Sequence, residues 1–288
     1  MPVLDVFNSN AFSMVSLTDS INKIPFMPGR IGKLGLFREQ GVATTSILIE
    51  EKEGSLTLVE TTARGAPAVQ NAHNKRRARS LTVPHIALED TILADEVQNL
   101  RAFGSDSQLE GVQQVMNDRL EDMARKLDAT LEHLRIGAIK GQILDADGTT
   151  VLYDLFQEFG VTQQTEVDFD LDAATPTAGA VKKKCHDVKR KIEDELGATP
   201  YDHIHAICGS AFFDDLVVHS EVSTAYDRYL DGLFLREGQA RGSFEYAGIV
   251  FEEYRGRVGT VDFTDTNKAH FFPVGVPSLF RQYNAPAE

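Results

Sequence analysis

Two aspartates one residue apart, Asp145 and Asp147, offer the clearest catalytic chemistry in this sequence of 288 residues. They end a short apolar run and are followed by Gly148 and Thr149. In metal-assisted phosphoryl transfer, the first carboxylate of such a pair attacks phosphorus and the second acts as acid or base beside Mg²⁺. That chemistry needs the pair at the carboxyl edge of a parallel sheet, before a crossover helix. Here a second strand-like run follows at once, so the residues favour an Asp-Gly turn within a β-hairpin over Ile143–Leu152.

The other candidate sites for metals and nucleophiles are weaker. The same aspartate segment starts like a calcium-binding loop, but Phe156 occupies the twelfth position, where a bidentate Glu is required. His203, His205 and His219 could offer three imidazoles to zinc, but the sequence assigns them no carboxylate partner. Ser210 lacks the Gly-x-Ser-x-Gly elbow of a serine hydrolase. We therefore predict no catalytic residue, no metal and no cofactor.

Composition and charge exclude several functional classes. The chain is 42% hydrophobic and 25% charged, which is typical of a folded soluble protein, and no apolar run approaches the ~20 residues that span a bilayer. Cys185 and Cys208 give no disulfide framework, so we interpret them as small core residues in a reducing compartment. A net charge of −14 argues against binding nucleic acid over the whole surface.

One basic run, Lys75-Arg76-Arg77-Ala78-Arg79, departs from this acidic balance. It could contact phosphate, or it could form an arm that pairs with carboxylates on another subunit. Because no aromatic residues are interleaved with the basic ones, we favour the second interpretation.

A long helix is the main element that could position these residues. Apolar side chains recur with spacings of 3, 4 and 4 residues, so the pattern closes every eleven residues and gives about 3.67 residues per turn. This repeat predicts one nearly straight helix over Ser107–Lys140, roughly 50 Å long. The apolar stripe comprises Leu109, Val112, Met116, Leu120, Met123, Leu127, Leu131, Leu134 and Ala138.

The segments before this helix predict extended structure that needs another surface for support. Met1–Gln40 has no sustained period but carries scattered large apolar residues, which is typical of an extended arm. Further on, the patterns predict a hairpin of Thr45–Glu50 with Ser55–Glu60, turning at 51–54, a loop over Thr61–Ser80, a returning strand at Leu81–Ile86 and a short helix at Asp90–Arg101.

The segments after the long helix alternate between helix and strand, so the predicted fold class is α+β. The predicted elements are a helix with Thr175 as its cap, Pro176 in its first turn and Gly197 past its end, a strand at His203–Cys208, a helix capped by Ser210, and strands at Ser243–Tyr254 and His270–Val274.

Several stretches carry a resemblance to a known family. The most specific are RLEDM at 119–123, ATLEHLRIGAIKGQILDADG at 129–148 and YDLFQEFG at 153–160. Supporting stretches are RGAP at 64–67, RAFG at 101–104 and FRQYNAP at 280–286. Together they resemble the lambda-type "capsid protein E" family, the major capsid proteins of tailed bacteriophages (Caudoviricetes) and related prophages.

The resemblance implies the Hong Kong 97-like capsid fold, an α+β fold with an arm, an E-loop hairpin, a spine helix and two domains. The expected division is an N-terminal arm at 1–41, the E-loop at 42–90, a peripheral domain at 91–161 with its spine helix at 107–140, an axial domain at 162–242, and return strands to the peripheral domain at 243–288. Members of the family continue past Ala285–Ala287, so we expect the last peripheral strands either to be missing here or to be supplied otherwise.

The implied function is that of a structural major capsid protein. It would self-assemble into the hexamers and pentamers of a prohead, an icosahedral shell that encloses double-stranded DNA without sequence specificity. Its expected partners are other copies of itself, a separate scaffolding protein, a portal and a decoration protein, with no membrane. It would be assembled in the host bacterial cytoplasm and located in the virion. The E-loop residues expected to contact neighbouring subunits are Lys52, Arg64, Lys75, Arg76, Arg77 and Arg79.

Two alternatives remain open from the sequence. One is an encapsulin-like compartment of the same fold, which would hold enzyme cargo. The other is a haloacid-dehalogenase-type phosphohydrolase that uses Asp145 and Asp147. Lys52 lies at the expected E-loop tip, but no partner for a covalent cross-link can be named.

Overall fold

The computed structural model describes residues 29–52, 76–92, 108–173, 176–233 and 243–286, and these residues form an α+β protein. The elements in chain order are α1 (Arg30–Lys33), β1 (Phe37–Gly41), β2 (Ser46–Lys52), β3 (Arg76–Thr82), α2 (Gln108–Lys140), β4 (Gln142–Leu144), β5 (Val151–Asp154), α3 (Leu155–Phe159), α4 (Ala180–Leu196), β6 (His203–Cys208), α5 (Ser210–Val218), α6 (Ser223–Leu233), β7 (Ser243–Tyr246), β8 (Ile249–Glu253), β9 (Arg257–Val258), β10 (Val261–Asp262), β11 (Ala269–Val274) and β12 (Phe280–Asn284). Within these ranges, no helix combines the length and the apolar character needed to cross a membrane.

The chain divides into two units. The first contains residues 1–37 and 88–279, and the second contains 38–87 and 280–288. Each unit is therefore described by itself.

The first unit is built around a four-stranded sheet in the order β11-β6-β8-β7. Strand β6 pairs in parallel with β8 and antiparallel with β11, and β7 and β8 form an antiparallel hairpin. Apolar residues of the sheet and of α4, α5 and α6 form the core, which includes Val181, Cys185, Val188, Ile204, Ala206, Cys208, Phe213, Leu216, Val222, Tyr229, Phe244, Ile249 and Phe251. The segment 243–288, expected to form the return strands, therefore supplies three strands to the same sheet as β6. The division into domains stays a prediction.

Helix α2 confirms the predicted rod, with 33 residues and a length of about 50 Å. Its most buried side chains, however, lie off the predicted stripe: they are Glu132, Arg135 and Ile136. The described stripe residues are half-buried, and Leu127 is exposed. The last turns of α2 pack against α1 and β4, and backbone N–H groups of α1 bind Glu132, so a polar face of the helix lies inside.

The hairpin after α2 is also confirmed. Gly141 ends the helix with φ +86°, and a Cβ there would lie 2.4 Å from the ring of Phe156. Strands β4 and β5 then pair antiparallel around the turn that contains Asp145 and Asp147. The carboxylate of Asp154 accepts hydrogen bonds from two backbone N–H groups and so caps α3.

Two predicted helix starts are wrong. Helix α4 begins at Ala180, not at Pro176, because Glu221 accepts hydrogen bonds from the N–H groups of Val181 (3.1 Å) and Lys182 (3.0 Å). The proposed cap, Thr175, lies outside the described residues. The predicted end at Gly197 is confirmed. Ser210 is the first residue of α5 and not its cap, because Gly209 holds the cap position without a side-chain bond.

The second unit corrects the predicted hairpin. Strand β2 pairs antiparallel with β3, so its partner is not Ser55–Glu60, and the strand extends through Lys52. Residues Arg76–Ser80 belong to β3 and not to a loop, and this register sets Glu51 opposite Arg77, an arrangement that favours cross-strand pairing. Strand β1 pairs with β12 in a separate two-stranded sheet. Of the predicted helix over Asp90–Arg101, residues 90–92 are not helical and the rest lies outside the described residues.

Candidate functional site

The β2–β3 hairpin brings together four of the six predicted contact residues. Lys52 ends β2 directly opposite Arg76, Arg77 follows, and Arg79 lies opposite Ile49. Arg64 and Lys75 lie outside the described residues. The register therefore sets these four basic residues, together with Glu50 and Glu51, at one end of a two-stranded ladder.

The hairpin has little core of its own. Among its described side chains, at residues 46–50 and 78–82, every one is exposed or half-buried. Leu48 leaves 65% of its surface exposed. A two-stranded hairpin is marginally stable in water unless a hydrophobic face packs on something else. This element therefore needs a surface beyond the hairpin to be stable.

The two aspartates with catalytic spacing form a structural turn. The Oδ1 atom of Asp147 accepts hydrogen bonds from the N–H groups of Thr149 and Thr150, both at 2.8 Å, and its Oδ2 accepts one from the Thr150 hydroxyl at 2.6 Å. These hydrogen bonds, led by the one from the Thr150 hydroxyl, lower the pKa of Asp147. Because β4 and β5 form a two-stranded antiparallel ladder, Asp145 does not occupy the edge of a parallel sheet that a phosphoryl-transfer nucleophile requires.

The histidines considered for zinc have separate partners. His205 is buried, and its Nε2 lies 3.0 Å from Glu252 Oε2. His219 Nδ1 accepts a hydrogen bond from the N–H of Glu221. Across the described ranges, His, Cys, Asp and Glu side chains form no group of three or more that could hold a metal ion.

Both cysteines are buried and free, which confirms their predicted place in the core. Burial raises the pKa of the Cys185 thiol to about 12, and it also raises the pKa of Cys208. Both thiols therefore stay protonated and weakly reactive at neutral pH.

The structure also shows a buried polar cluster that the sequence analysis missed. The Glu132 carboxylate on α2 accepts hydrogen bonds from the N–H of Ile31 at 2.7 Å and of Gly32 at 3.3 Å. The Tyr254 hydroxyl donates to the same carboxylate at 3.3 Å. Glu132 is only 4% exposed. It therefore holds α1 against α2 from inside the unit.

A second carboxylate holds the same short helix. The Arg30 guanidinium donates through Nε and Nη2 to the two oxygens of Glu252, with the Nη2 bond at 2.7 Å. Glu252 lies on β8 and also contacts His205 on β6. We call Arg30, Ile31, Gly32, Glu132, His205, Glu252 and Tyr254 the N-terminal clamp.

The electrostatics of the clamp follow from burial and from its hydrogen bonds. Burial alone would raise the pKa of Glu252, but donors from His205 and Arg30 outweigh it and lower the pKa to about 2. Hydrogen bonding to Glu252 in turn raises the pKa of Arg30. Burial, followed by the charge of Glu132, raises the pKa of Tyr254. Arg30 and Glu252 therefore form a partly buried ion pair at neutral pH, and both buried carboxylates of the clamp are supplied with donors.

Comparison with known proteins identifies the family of this chain. The profile of the family described as Phage major capsid protein E matches residues 13–288. The chain belongs to this family. It is 32% identical over 299 residues to the major capsid protein of Pseudomonas phage KPP10, covering 96% of this chain and 84% of that protein. It is 29% identical over 265 residues to the major capsid protein of Salmonella phage Felix O1 (isolate Felix O1-VT1), covering 85% and 70%.

Membership of the Phage major capsid protein E family confirms the resemblance drawn from the sequence motifs. The role of the family is structural, so this capsid protein is not an enzyme, and its place is the capsid of the virion. The Asp145–Asp147 turn accordingly has a structural role within the fold. The features of interest in this capsid protein are therefore the exposed β2–β3 hairpin and the contacts of the N-terminal clamp, not catalytic groups.

The sequence of this capsid protein gives little indication of the clamp. Glu132 lies within the family-like stretch 129–148, but it is off the apolar stripe, where a charged residue is expected to face solvent. Glu252 is the first of two glutamates that follow three apolar residues in the strand IVFEE. A buried-strand glutamate of this kind points to a basic partner, but the sequence alone does not identify Arg30 as that partner.

Proposed function

We propose that copies of this chain assemble into hexamers and pentamers of an icosahedral shell with the Hong Kong 97-like fold. The observation that carries the proposal is the β2–β3 hairpin, whose described side chains are all exposed or half-buried and which carries Lys52, Arg76, Arg77 and Arg79. Such a hairpin gains stability when a neighbouring subunit covers it, and repeated subunits related by rotation close into shells.

The proposed division of labour follows the expected domains. The arm at 1–41 and the E-loop at 42–90 reach neighbouring subunits, while the spine helix at 107–140 supports the peripheral domain. The axial domain, proposed at 162–242, gathers around the centre of each capsomer. Strands β6, β7, β8 and β11 share one sheet, which supports including the strands after residue 242 in the axial domain.

The proposed content of the shell is double-stranded DNA, held without sequence specificity. A net charge of −14 disfavours tight, non-specific binding of phosphate backbones. A shell that does not bind its DNA tightly can release it. The proposed partners are a scaffolding protein and a portal during assembly in the host cytoplasm, and a decoration protein on the finished shell.

Negative-stain microscopy of the chain produced in bacteria, alone and together with candidate scaffolding proteins, tests this proposal. We expect capsomers or closed shells with fivefold and sixfold clusters. The nucleic acid and protein content of purified particles then separates a virion shell from a compartment for enzyme cargo. Protein that stays monomeric under all of these conditions would contradict the proposal.

A further inference from the structure

Helix α1 depends on its contacts for its conformation. It has four residues, Arg30–Lys33, and a single turn is too short to offset the cost of helix nucleation. Two contacts support it within the unit: the side chain of Ile31 is fully buried, and the Glu132 carboxylate binds two of its backbone N–H groups. The residues that follow the N-terminal segment 1–28 are therefore held in place by α2.

Gly29 shows how closely α2 approaches this point. A Cβ atom at Gly29 would lie 2.2 Å from Cδ and 2.4 Å from Oε2 of Glu132. Any side chain at this position would push the carboxylate away from the N–H groups of α1. The close approach thus serves the hydrogen bonds from α1 to Glu132.

The sheet holds the same helix through a different group. Glu132 binds backbone N–H groups, whereas Glu252 on β8 binds the Arg30 side chain. Tyr254, which follows the end of β8, donates to Glu132 and so joins α2 to that strand. Moving α1 away from α2 or from β8 would leave a buried carboxylate short of donors, which is costly.

We infer that Glu132 and Glu252 are positioning residues for assembly: they fix residues 29–33, which directly follow the N-terminal segment, and couple their position to the packing of α2 on the sheet. The inference rests on the proposed function, because the arm acts by reaching a neighbouring subunit. A shift of α2 relative to β8 would strain both sets of bonds at once. The position of α1 and the packing of α2 therefore change together.

The clamp can be tested separately from the core. The core cluster defined by the described residues includes neither Ile31 nor Glu132. Loss of the contacts between α1 and Glu132 is therefore expected to loosen residues 29–34 and leave the central sheet folded.

Glu132→Gln is the main variant. Only one of the two terminal atoms of an amide accepts hydrogen bonds, whereas the three donors use both oxygens of the Glu132 carboxylate. Hydrogen–deuterium exchange of the unassembled protein should become at least about tenfold faster at the amides of Ile31 and Gly32, while β6 and α4 keep their wild-type rates. Glu121→Gln, an exposed carboxylate on the same helix that pairs with Arg125, is the matched control and should leave all these rates unchanged. Unchanged exchange at 31–32 in Glu132→Gln, or an equal increase throughout the unit, would overturn the inference.

Arg30→Gln and Arg30→Lys provide a second route through the other carboxylate. Arg30→Gln should also speed local exchange and lower the yield of regular particles, and Arg30→Lys should restore part of both because it keeps the charge. If the wild-type chain forms particles and Glu132→Gln and Arg30→Gln form them equally well, the positioning role fails while the proposed function stands. If the wild-type chain forms none, the proposed function fails, and with it the positioning role that rests on it.

Discussion

Glu132 and Glu252 are 4% and 5% exposed, and each accepts hydrogen bonds from other elements of the chain. Buried carboxylates persist in a folded protein when donors satisfy them, and removing one donor costs more than the bond itself is worth. These two residues therefore hold α1 in place. Glu252 also makes the first unit sensitive to pH.

The first prediction concerns this pH dependence. The pKa of Glu252 falls from its ordinary value of 4.5 to about 2, so the ionised form stabilises the folded state above pH 4.5. That stabilisation is lost as the pH falls from about 4.5 towards 2, because the unfolded chain takes up the proton first. Urea unfolding across this range should show the free energy of unfolding decreasing with pH, and Glu252→Gln should flatten that decrease. An identical slope in wild type and Glu252→Gln would contradict the assigned role of this carboxylate.

The second prediction concerns Gly209 at the start of α5. A Cβ there would lie 2.1 Å from the carbonyl oxygen of Asp265 and 2.5 Å from that of Thr266, both backbone atoms that cannot move aside cheaply. Gly209→Ala should lower the free energy of unfolding by about 1–3 kcal/mol. Gly41→Ala, where a Cβ meets no heavy atom within 4 Å, should change it far less, and equal effects of the two substitutions would refute this explanation.

At the scale of elements, α2 differs from a simple amphipathic rod. Its eleven-residue repeat is local and therefore predicted its length and its end at Gly141. Which face is buried depends on α1, which contacts the helix from a distant part of the sequence, and on β4, which folds back against it directly after Gly141. The most buried positions, Glu132, Arg135 and Ile136, could not be derived from the stripe.

The third prediction separates the two faces of α2. Ile136 is 3% exposed and Leu127 is 38% exposed. In the isolated subunit, Ile136→Ala should cost about 2–5 kcal/mol of unfolding free energy, while Leu127→Ala should cost less than about 1 kcal/mol. Chemical denaturation of both variants checks this order. A larger loss in Leu127→Ala would show that the predicted stripe is the buried face after all.

The fourth prediction concerns the basic strand of the β2–β3 hairpin. If Arg76, Arg77 and Arg79 meet carboxylates of a neighbouring subunit, replacing all three with Gln should reduce particle yield and leave the circular dichroism of the subunit unchanged. The matched variant with three Lys residues keeps the charge and should assemble better than the Gln variant. Equal yields from both variants, measured by sedimentation, would exclude an electrostatic role for the strand.

Local and non-local signals explain which elements the sequence could predict. The Asp-Gly turn between β4 and β5 was predictable because its residues are neighbours in the chain. The 23 residues from 53 to 75 separate β2 from β3. A local pattern therefore predicts the nearer segment at Ser55–Glu60 as the partner of β2, and this prediction is wrong. The start of α4 depends on Glu221, some forty residues further on, which no local capping rule can identify.

At the scale of the whole molecule, the α+β class follows from alternating local patterns, and the family follows from motifs spread along the chain. The predicted contact residues came from the resemblance and from the charge of one short run. The clamp depends on residues 30, 132, 205, 252 and 254, which only the folded chain brings together. Periodicity and composition carry no information on such contacts.

A cryo-EM reconstruction of assembled particles tests the central claim most directly, because it shows both the symmetry of the shell and what covers the β2–β3 hairpin. The account predicts fivefold and sixfold clusters of this chain, with Leu48 and the basic residues of β3 buried against a neighbouring subunit. Particles in which these hairpin residues remain exposed, or a chain that joins no symmetric shell, would contradict it.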